Sequence, residues 1–207
     1  MICVVDYGMG NLRSVSKALE RLGAMVTVSS QPEDVKKAEK VVLPGVGAFG
    51  EGCAQLLKRG LFNPILDGLS QNKPFLGICL GMQLLFEESE ESPGAEGLSF
   101  FKGGVQRFRT KGLKIPHMGW NELRMLSSMS PAFRSVANGS FFYFVHSYYV
   151  VPKDQSLILG TCEYEGEEFP AFIGQGSVWA SQFHPEKSQE AGLKILRNFI
   201  DGNLSCH

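Results

Sequence analysis

The chain lacks long apolar runs, closely spaced cysteine pairs and any marked excess of charge. No segment approaches the roughly 20 apolar residues that a membrane-spanning helix needs. The apolar N-terminal stretch is short and has no basic leader, so no secretion signal is predicted. The cysteines are odd in number and show no Cys-x-x-Cys spacing, which argues against a disulfide framework and a zinc site: they are Cys3, Cys53, Cys79, Cys162 and Cys206. We therefore expect a cytoplasmic protein with reduced thiols, no metal and no membrane partner.

The composition is that of an ordinary globular domain. The chain has 207 residues, of which 43% are hydrophobic and 20% charged, enough for one sizeable core. A formal net charge of −1 provides no basic field for nucleic acid. Because no repeat, low-complexity tract or long linker divides the sequence, we expect residues 1–207 to form a single domain.

The order of sequence patterns predicts an α/β fold. In the first half, short β-branched runs at residues 2–5, 25–28 and 40–43 alternate with helical stretches such as residues 11–22, where apolar residues share one face. This alternation is typical of a mostly parallel sheet with helices on both sides. From about residue 98 to 182, strand-like runs follow one another between Gly and Pro, before a last helix at 188–200. We predict a flavodoxin-like three-layer sandwich whose central sheet has a partly antiparallel extension in the C-terminal half.

The most informative segment is Gly77-Ile78-Cys79-Leu80-Gly81, between an apolar run and a helical pattern over residues 80–86. A strand that turns sharply into a helix exposes the residue at the turn, and the residues two positions away must be small. A sulfur at the start of a helix is also favoured as thiolate. The alternative is a buried cysteine beside packing glycines. With 24 glycines and five cysteines in the chain, such a segment arises by chance about once in fifteen sequences.

A candidate base follows a late strand, in Gln182-Phe183-His184-Pro185-Glu186. In extended backbone, residues two apart point the same way, so Glu186 is expected to hold the His184 imidazole in one tautomer. A His-x-Glu pair alone is weak evidence, but Cys79 and His184 both fall at predicted strand ends, which meet at one crevice in open α/β sheets. Of the other histidines, His207 ends the sequence and is expected to be frayed.

Donors for an oxyanion are predicted at two places. The Leu80 N–H follows the candidate nucleophile at a helix start. A second donor is expected from Val46 or Gly47 in Pro44-Gly45-Val46-Gly47, where glycines let the backbone approach a ligand. An ordinary Gly/Pro turn explains the second segment about as well.

These three elements, in this order and spacing, resemble the class I glutamine amidotransferases over essentially the whole chain. Within that family, four segments resemble the glutaminase subunits of imidazole glycerol phosphate synthases: residues 6–11, 115–121, 145–149 and 184–188. The resemblance implies that Cys79 attacks the side-chain amide of glutamine, that His184 protonates the leaving ammonia and later activates water, and that Glu186 orients His184. It also implies glutamine-binding roles for Gln83, His146, Ser147 and Tyr148.

The resemblance further implies a partner. In this family, ammonia passes to a cyclase subunit with a (βα)₈-barrel fold, which forms a heterodimer with the glutaminase and makes imidazole glycerol phosphate and an aminoimidazole carboxamide ribotide in histidine biosynthesis. Asn11, Trp120 and Lys187 are implied at this interface, and no cofactor is required. From sequence alone, Trp120 is more often a core or half-buried aromatic; the alternative for Asn11 is a helix N-cap, and for Lys187 it is a solvated lysine at a helix start.

Two alternatives remain open at this stage. The chain could be a glutaminase subunit of another pathway, such as pyridoxal phosphate or aminobenzoate synthesis, or a catalytically silent flavodoxin-like binding module.

Two other sequence motifs do not indicate sites. A dinucleotide site at Gly8-Met9-Gly10 is rejected, because the third glycine would fall at Arg13. The acidic segment 87–91 is predicted to be the solvated end of a helix.

Overall fold

The structure, a computed structural model, describes residues 1–110, 112, 114–127 and 129–202; His207 lies outside these residues. The helices that it contains are α1 (Leu12–Arg21), α2 (Pro32–Lys37), α3 (Phe49–Lys58), α4 (Phe62–Ser70), α5 (Leu80–Gln83) and α6 (Gln189–Asp201). The strands are β1 (Ile2–Val5), β2 (Val26–Ser29), β3 (Lys40–Gly45), β4 (Phe75–Cys79), β5 (Glu88–Ser89), β6 (Gly103–Arg107), β7 (His117–Glu122), β8 (Arg124–Met125), β9 (Phe141–His146), β10 (Tyr148–Pro152), β11 (Ile158–Tyr164), β12 (Glu167–Gln175) and β13 (Val178–Ser181).

An eight-stranded sheet in the order β2-β1-β3-β4-β13-β12-β11-β8 forms the centre of the molecule. Its first five strands are parallel, and β12, β11 and β8 continue it in antiparallel pairs. This is the predicted arrangement, including the antiparallel extension. Strand β13 lies beside β4, so residues 103 positions apart in the sequence, such as Ile78 and Ser181, become neighbours at the carboxyl edge of the sheet.

Buried side chains on the two faces of the sheet form two separate cores. In β1, Cys3 and Val5 belong to one core, while Ile2 and Val4 belong to the other. Helices α2, α3 and α4 cover the first face, and α1 and α6 cover the second, with apolar residues that repeat at helical spacing. The predicted three-layer sandwich is therefore confirmed. No helix in the described part of the chain is long and apolar enough to cross a membrane.

The segment after α5 differs from the prediction. The helical pattern over residues 80–86 gives only one turn, because α5 ends at Gln83 and the carbonyls of Leu84, Leu85 and Phe86 accept hydrogen bonds from the loop at residues 98–101. The acidic segment 87–91 is not a helix end either. It holds β5, which pairs with β6. Local apolar spacing cannot distinguish a helix from a buried segment whose backbone bonds to a distant loop.

A two-stranded antiparallel ribbon of β7 and β9 lies beside the main sheet. Ser147 separates β9 from β10, so that β9 belongs to this ribbon and β10 pairs with β6. Along the ribbon, side chains alternate between a buried face and an exposed face, as in any half-covered sheet. Three large apolar side chains stand on the exposed face, next to the charged Glu122: Met118, Trp120 and Phe141 are 62%, 47% and 55% exposed.

Candidate active site

Cys79 occupies a strained turn between β4 and α5. Its backbone has φ 55° and ψ −109°, outside the regions that side-chain-bearing residues normally adopt. The flanking glycines make this turn sterically possible. A Cβ on Gly77 would lie 2.7 Å from the carbonyl oxygen of Gly81, and one on Gly81 would overlap the carbonyl oxygen of Leu43. The strand-turn-helix geometry predicted from the sequence is therefore present, with Cys79 at its apex.

His184 follows β13, the strand that pairs with β4. Its Nδ1 lies 2.9 Å from Oε1 of Glu186, and both side chains are buried. Residues 185–187 form a single 3-10 turn rather than the extended segment expected, yet that turn still directs Glu186 back to His184. Burial lowers the pKa of His184, but interactions with the Cys79 side chain and Glu186 outweigh burial and raise it to about 10. The imidazole is therefore favoured in its protonated form while Cys79 carries a negative charge.

The predicted oxyanion segment lies beside Cys79. Strand β3 pairs in parallel with β4 and places Gly45 opposite Cys79. Val46 and Gly47 follow directly, both exposed, and Gly47 has φ +123°, which favours glycine. Leu80, as the first residue of α5, has an N–H that no carbonyl within the helix can reach. Both predicted segments therefore adjoin Cys79 in the fold.

A cleft of about 490 Å³ opens in front of Cys79. Its lining includes every residue predicted to bind glutamine or an oxyanion, together with Ala48, Glu91, Pro116 and Val145; the predicted residues are Val46, Gly47, Leu80, Gln83, His146, Ser147 and Tyr148. A second cleft of about 410 Å³ lies next to Trp120, but Cys79 does not line it. The chemistry is therefore concentrated in the cleft at Cys79.

The Gln83 side chain is buried. Its Nε2 donates to the carbonyl of Tyr148 at 3.0 Å and to Oε1 of Gln182 at 3.1 Å. His146 Nδ1 lies 2.8 Å from the same Tyr148 carbonyl. These contacts fix the backbone that forms one wall of the cleft.

Two buried histidines support that wall. His117 Nδ1 lies 3.0 Å from His146 Nε2. Burial lowers the pKa of His117 to about 4 and that of His146 to about 3, so both rings are neutral at physiological pH. Neither is suited to exchange protons in neutral solution, so His184 remains the candidate acid and base among the histidines that the structure describes.

The sequence interpretation missed two residues near Cys79. Gln182 is completely buried, and its Nε2 lies 3.6 Å from the sulfur of Cys79. Glu91 lines the cleft, and its Oε2 accepts the Phe49 N–H at 2.8 Å. The position of Gln182, two residues before His184 and directly after β13, was an available signal. Nothing in the local sequence distinguishes Glu91 from its acidic neighbours.

The three predicted interface residues lie outside the cleft. Trp120, on the exposed face of the ribbon, has its ring centroid 6.2 Å from that of Tyr143. Lys187 is exposed and places Nζ 5.7 Å from the same Tyr143 ring. Asn11 stands at the N-cap of α1 but forms no side-chain capping bond. Trp120 and Lys187 thus share one surface, which adjoins the cleft through Val145 on β9.

Comparison with known proteins gives a consistent result. Residues 3–202 match the family model described as Glutamine amidotransferase class-I. The chain is 49% identical over 207 residues to imidazole glycerol phosphate synthase subunit HisH of Syntrophotalea carbinolica, covering 97% of this chain and 100% of that protein. It is 50% identical to the subunit of that name from Geobacter sulfurreducens over 204 residues, which cover 96% of this chain and 97% of that protein.

Solved structures share the fold at lower identity. PurLQS from Thermotoga maritima superposes with a TM-score of 0.76 at 20% identity, covering 96% of both chains. A crystal structure of glutamine amidotransferase gives a TM-score of 0.74 at 19% identity, over 96% of this chain and 99% of the other. These similarities concern the architecture.

Proposed function

This chain belongs to the class I glutamine amidotransferases, and from that premise we propose that it is the glutaminase subunit of an imidazole glycerol phosphate synthase in histidine biosynthesis. The observation that carries the proposal is the strained Cys79 in the wall of the cleft, on a strand whose neighbour leads into the buried pair of His184 and Glu186. The similarity to subunits of that synthase extends over nearly the whole chain, at 49% and 50% identity, and supports the choice of pathway.

The proposed reaction begins with the Cys79 thiolate attacking the side-chain amide carbon of glutamine. The carbonyl oxygen becomes an oxyanion, which N–H groups at Leu80 and at Val46 or Gly47 stabilise. His184 gives its proton to the amide nitrogen, and the C–N bond breaks. Ammonia departs, and the acyl group remains on Cys79 as a thioester. The thioester no longer carries the negative charge that raised the pKa of His184. The imidazole can therefore take a proton from water, which attacks the thioester to give glutamate and restores the thiolate.

Glutamine is proposed to bind along the wall formed by Gln83, His146, Ser147 and Tyr148. This wall presents a fixed backbone to the amino-acid end of the substrate. The substrate also carries an α-ammonium group, which is best bound by a carboxylate. Glu91 is the carboxylate in the lining of the cleft, so we assign the ammonium to it.

Replacing Glu91 by Gln is expected to raise KM for glutamine about tenfold while kcat stays within about threefold, since the contact does not change during bond breaking. The amide oxygen can still accept the Phe49 N–H, so the loop should be retained. Steady-state kinetics at pH 7.5 measure both constants. Glu88→Gln, at an exposed position on β5, is the matched control. An unchanged KM in Glu91→Gln would contradict the assignment.

The proposed partner is a cyclase with a (βα)₈-barrel fold, which forms a heterodimer with this chain over the exposed face of the ribbon. The proposal is supported by the apolar character of that face and by its continuity with the cleft, since ammonia must be delivered before it becomes ammonium. Trp120, Lys187 and Asn11 are assigned to this interface. Large exposed aromatic residues are typical of the centre of protein interfaces.

The function is tested by measuring glutamate release from the purified chain, alone and with its cognate cyclase. We expect slow release alone and an increase of at least 100-fold with the cyclase and its nucleotide substrate. A fast rate that the cyclase does not change would remove the claim of a regulated subunit. Capture of a pyridoxal phosphate or aminobenzoate synthase in place of a cyclase would assign the chain to another pathway.

A further inference from the structure

One backbone carbonyl fixes the orientation of two buried glutamine side chains. The Tyr148 carbonyl can only accept hydrogen bonds, so the atom of Gln83 that faces it at 3.0 Å must be the amide nitrogen. That nitrogen also faces Gln182 at 3.1 Å, and because it can only donate, Gln182 must present its oxygen there. The amide nitrogen of Gln182 is then directed at the Cys79 sulfur, 3.6 Å away.

This contact favours the charged form of the sulfur. In the thiol form, Cys79 can donate weakly to the Val145 carbonyl at 3.9 Å. The Gln182 N–H, in contrast, donates to sulfur in either form, and hydrogen bonds to an ionised acceptor are about twice as strong as those to a neutral one. Gln182 is completely buried, so its contribution is not shared with solvent.

We propose that Gln182 is a further catalytic residue, which donates a hydrogen bond to the Cys79 thiolate and is held in that orientation by Gln83 and the Tyr148 carbonyl. Gln83 consequently has two roles, since it also lines the cleft. The inference rests on the proposed thiolate mechanism, but not on which pathway receives the ammonia.

The test is the pH dependence of Cys79 alkylation by iodoacetamide in the purified full chain, followed at the Cys79 peptide by mass spectrometry. Burial raises the pKa of Cys3 and Cys53 to about 11 and that of Cys162 to about 12, so these thiols should react slowly. For the unmodified chain we expect Cys79 to be alkylated faster at neutral pH than these three thiols.

Gln182→Met should raise the midpoint by about one pH unit, which is about a tenfold loss of thiolate at pH values below the midpoint. Gln182→Glu should raise it further, because it keeps the oxygen that Gln83 needs but places a carboxylate oxygen beside the sulfur. Gln175→Glu makes the same substitution at an exposed position on β12, near the opposite edge of the sheet, and should leave the midpoint unchanged.

A measurement on the unmodified chain needs no variant. The Gln182 side-chain amide resonances in nitrogen-15 NMR spectra should titrate with the same midpoint as Cys79 alkylation. Folded variants at residue 182 with an unchanged midpoint, or amide resonances that do not respond, would overturn the inference. Alkylation of Cys79 that is no faster than that of Cys53 in the unmodified chain at neutral pH would instead overturn the proposed thiolate mechanism, and the inference with it.

Discussion

Cys79→Ala is expected to reduce glutamine hydrolysis by at least about 10⁴-fold, with or without the cyclase. Every bond-forming step of the proposed mechanism uses the sulfur, and removing the nucleophile of such a catalytic group typically eliminates nearly all of the rate enhancement. Glutamate release in the fully liganded complex is the measurement, because the unmodified rate is highest there. Alanine meets the same backbone constraint at φ 55° as cysteine does, so no additional strain is expected.

The matched control is Cys53→Ala, at a buried cysteine of α3. It removes one thiol from the core and should retain turnover if the chain remains folded. Binding of the cyclase by Cys79→Ala should be unchanged, since the sulfur lies inside the cleft. If Cys79→Ala has the turnover of the unmodified chain, or if no partner ever elicits turnover from the unmodified chain, the catalytically silent binding module becomes the better account.

Gly81→Ala is expected to destabilise the fold by about 3 kcal/mol or more, a large part of the 5–15 kcal/mol that stabilises a typical domain. A Cβ at this position would overlap the backbone oxygen of Leu43, which is buried in β3 and cannot rotate away as a flexible side chain could. For a chain of this length, that change corresponds to a decrease in Tm of about 10 °C. Thermal unfolding followed by circular dichroism measures it, and the displaced elbow should also lower kcat.

Gly68→Ala is the control for this prediction. Gly68 lies within α4, and a Cβ there would meet its nearest atom, on the Lys73 side chain, at an ordinary 3.5 Å. Alanine in a helix interior is favoured over glycine by about 0.5–1 kcal/mol, so this variant should be as stable as the unmodified chain or slightly more stable. Equal Tm values for the two variants would show that Gly81 is not required for close packing of the elbow against β3.

The local patterns in the sequence were sufficient for most of the architecture. The strand at residues 2–5 and the helix at 11–22 agree with β1 and α1 to within a residue at each end, because their apolar spacing determines which face can be buried. The elbow at Cys79 was also predictable, since only glycine fits where strand and helix backbones pass this closely. The helix over residues 80–86 was overestimated, because the hydrogen bonds that end it come from residues 98–101.

What the sequence alone determined was the set of local elements, the order of the layers and the candidate roles of Cys79, His184 and Glu186, because each follows from spacing within a few residues. Only the tertiary structure decided that Gln182 faces the sulfur, that Glu91 enters the cleft and that His117 and His146 are neutral supports. These features depend on which distant segments the sheet and its loops bring together. Burial, hydrogen-bond polarity and pKa are properties of that assembled environment, which no local pattern encodes.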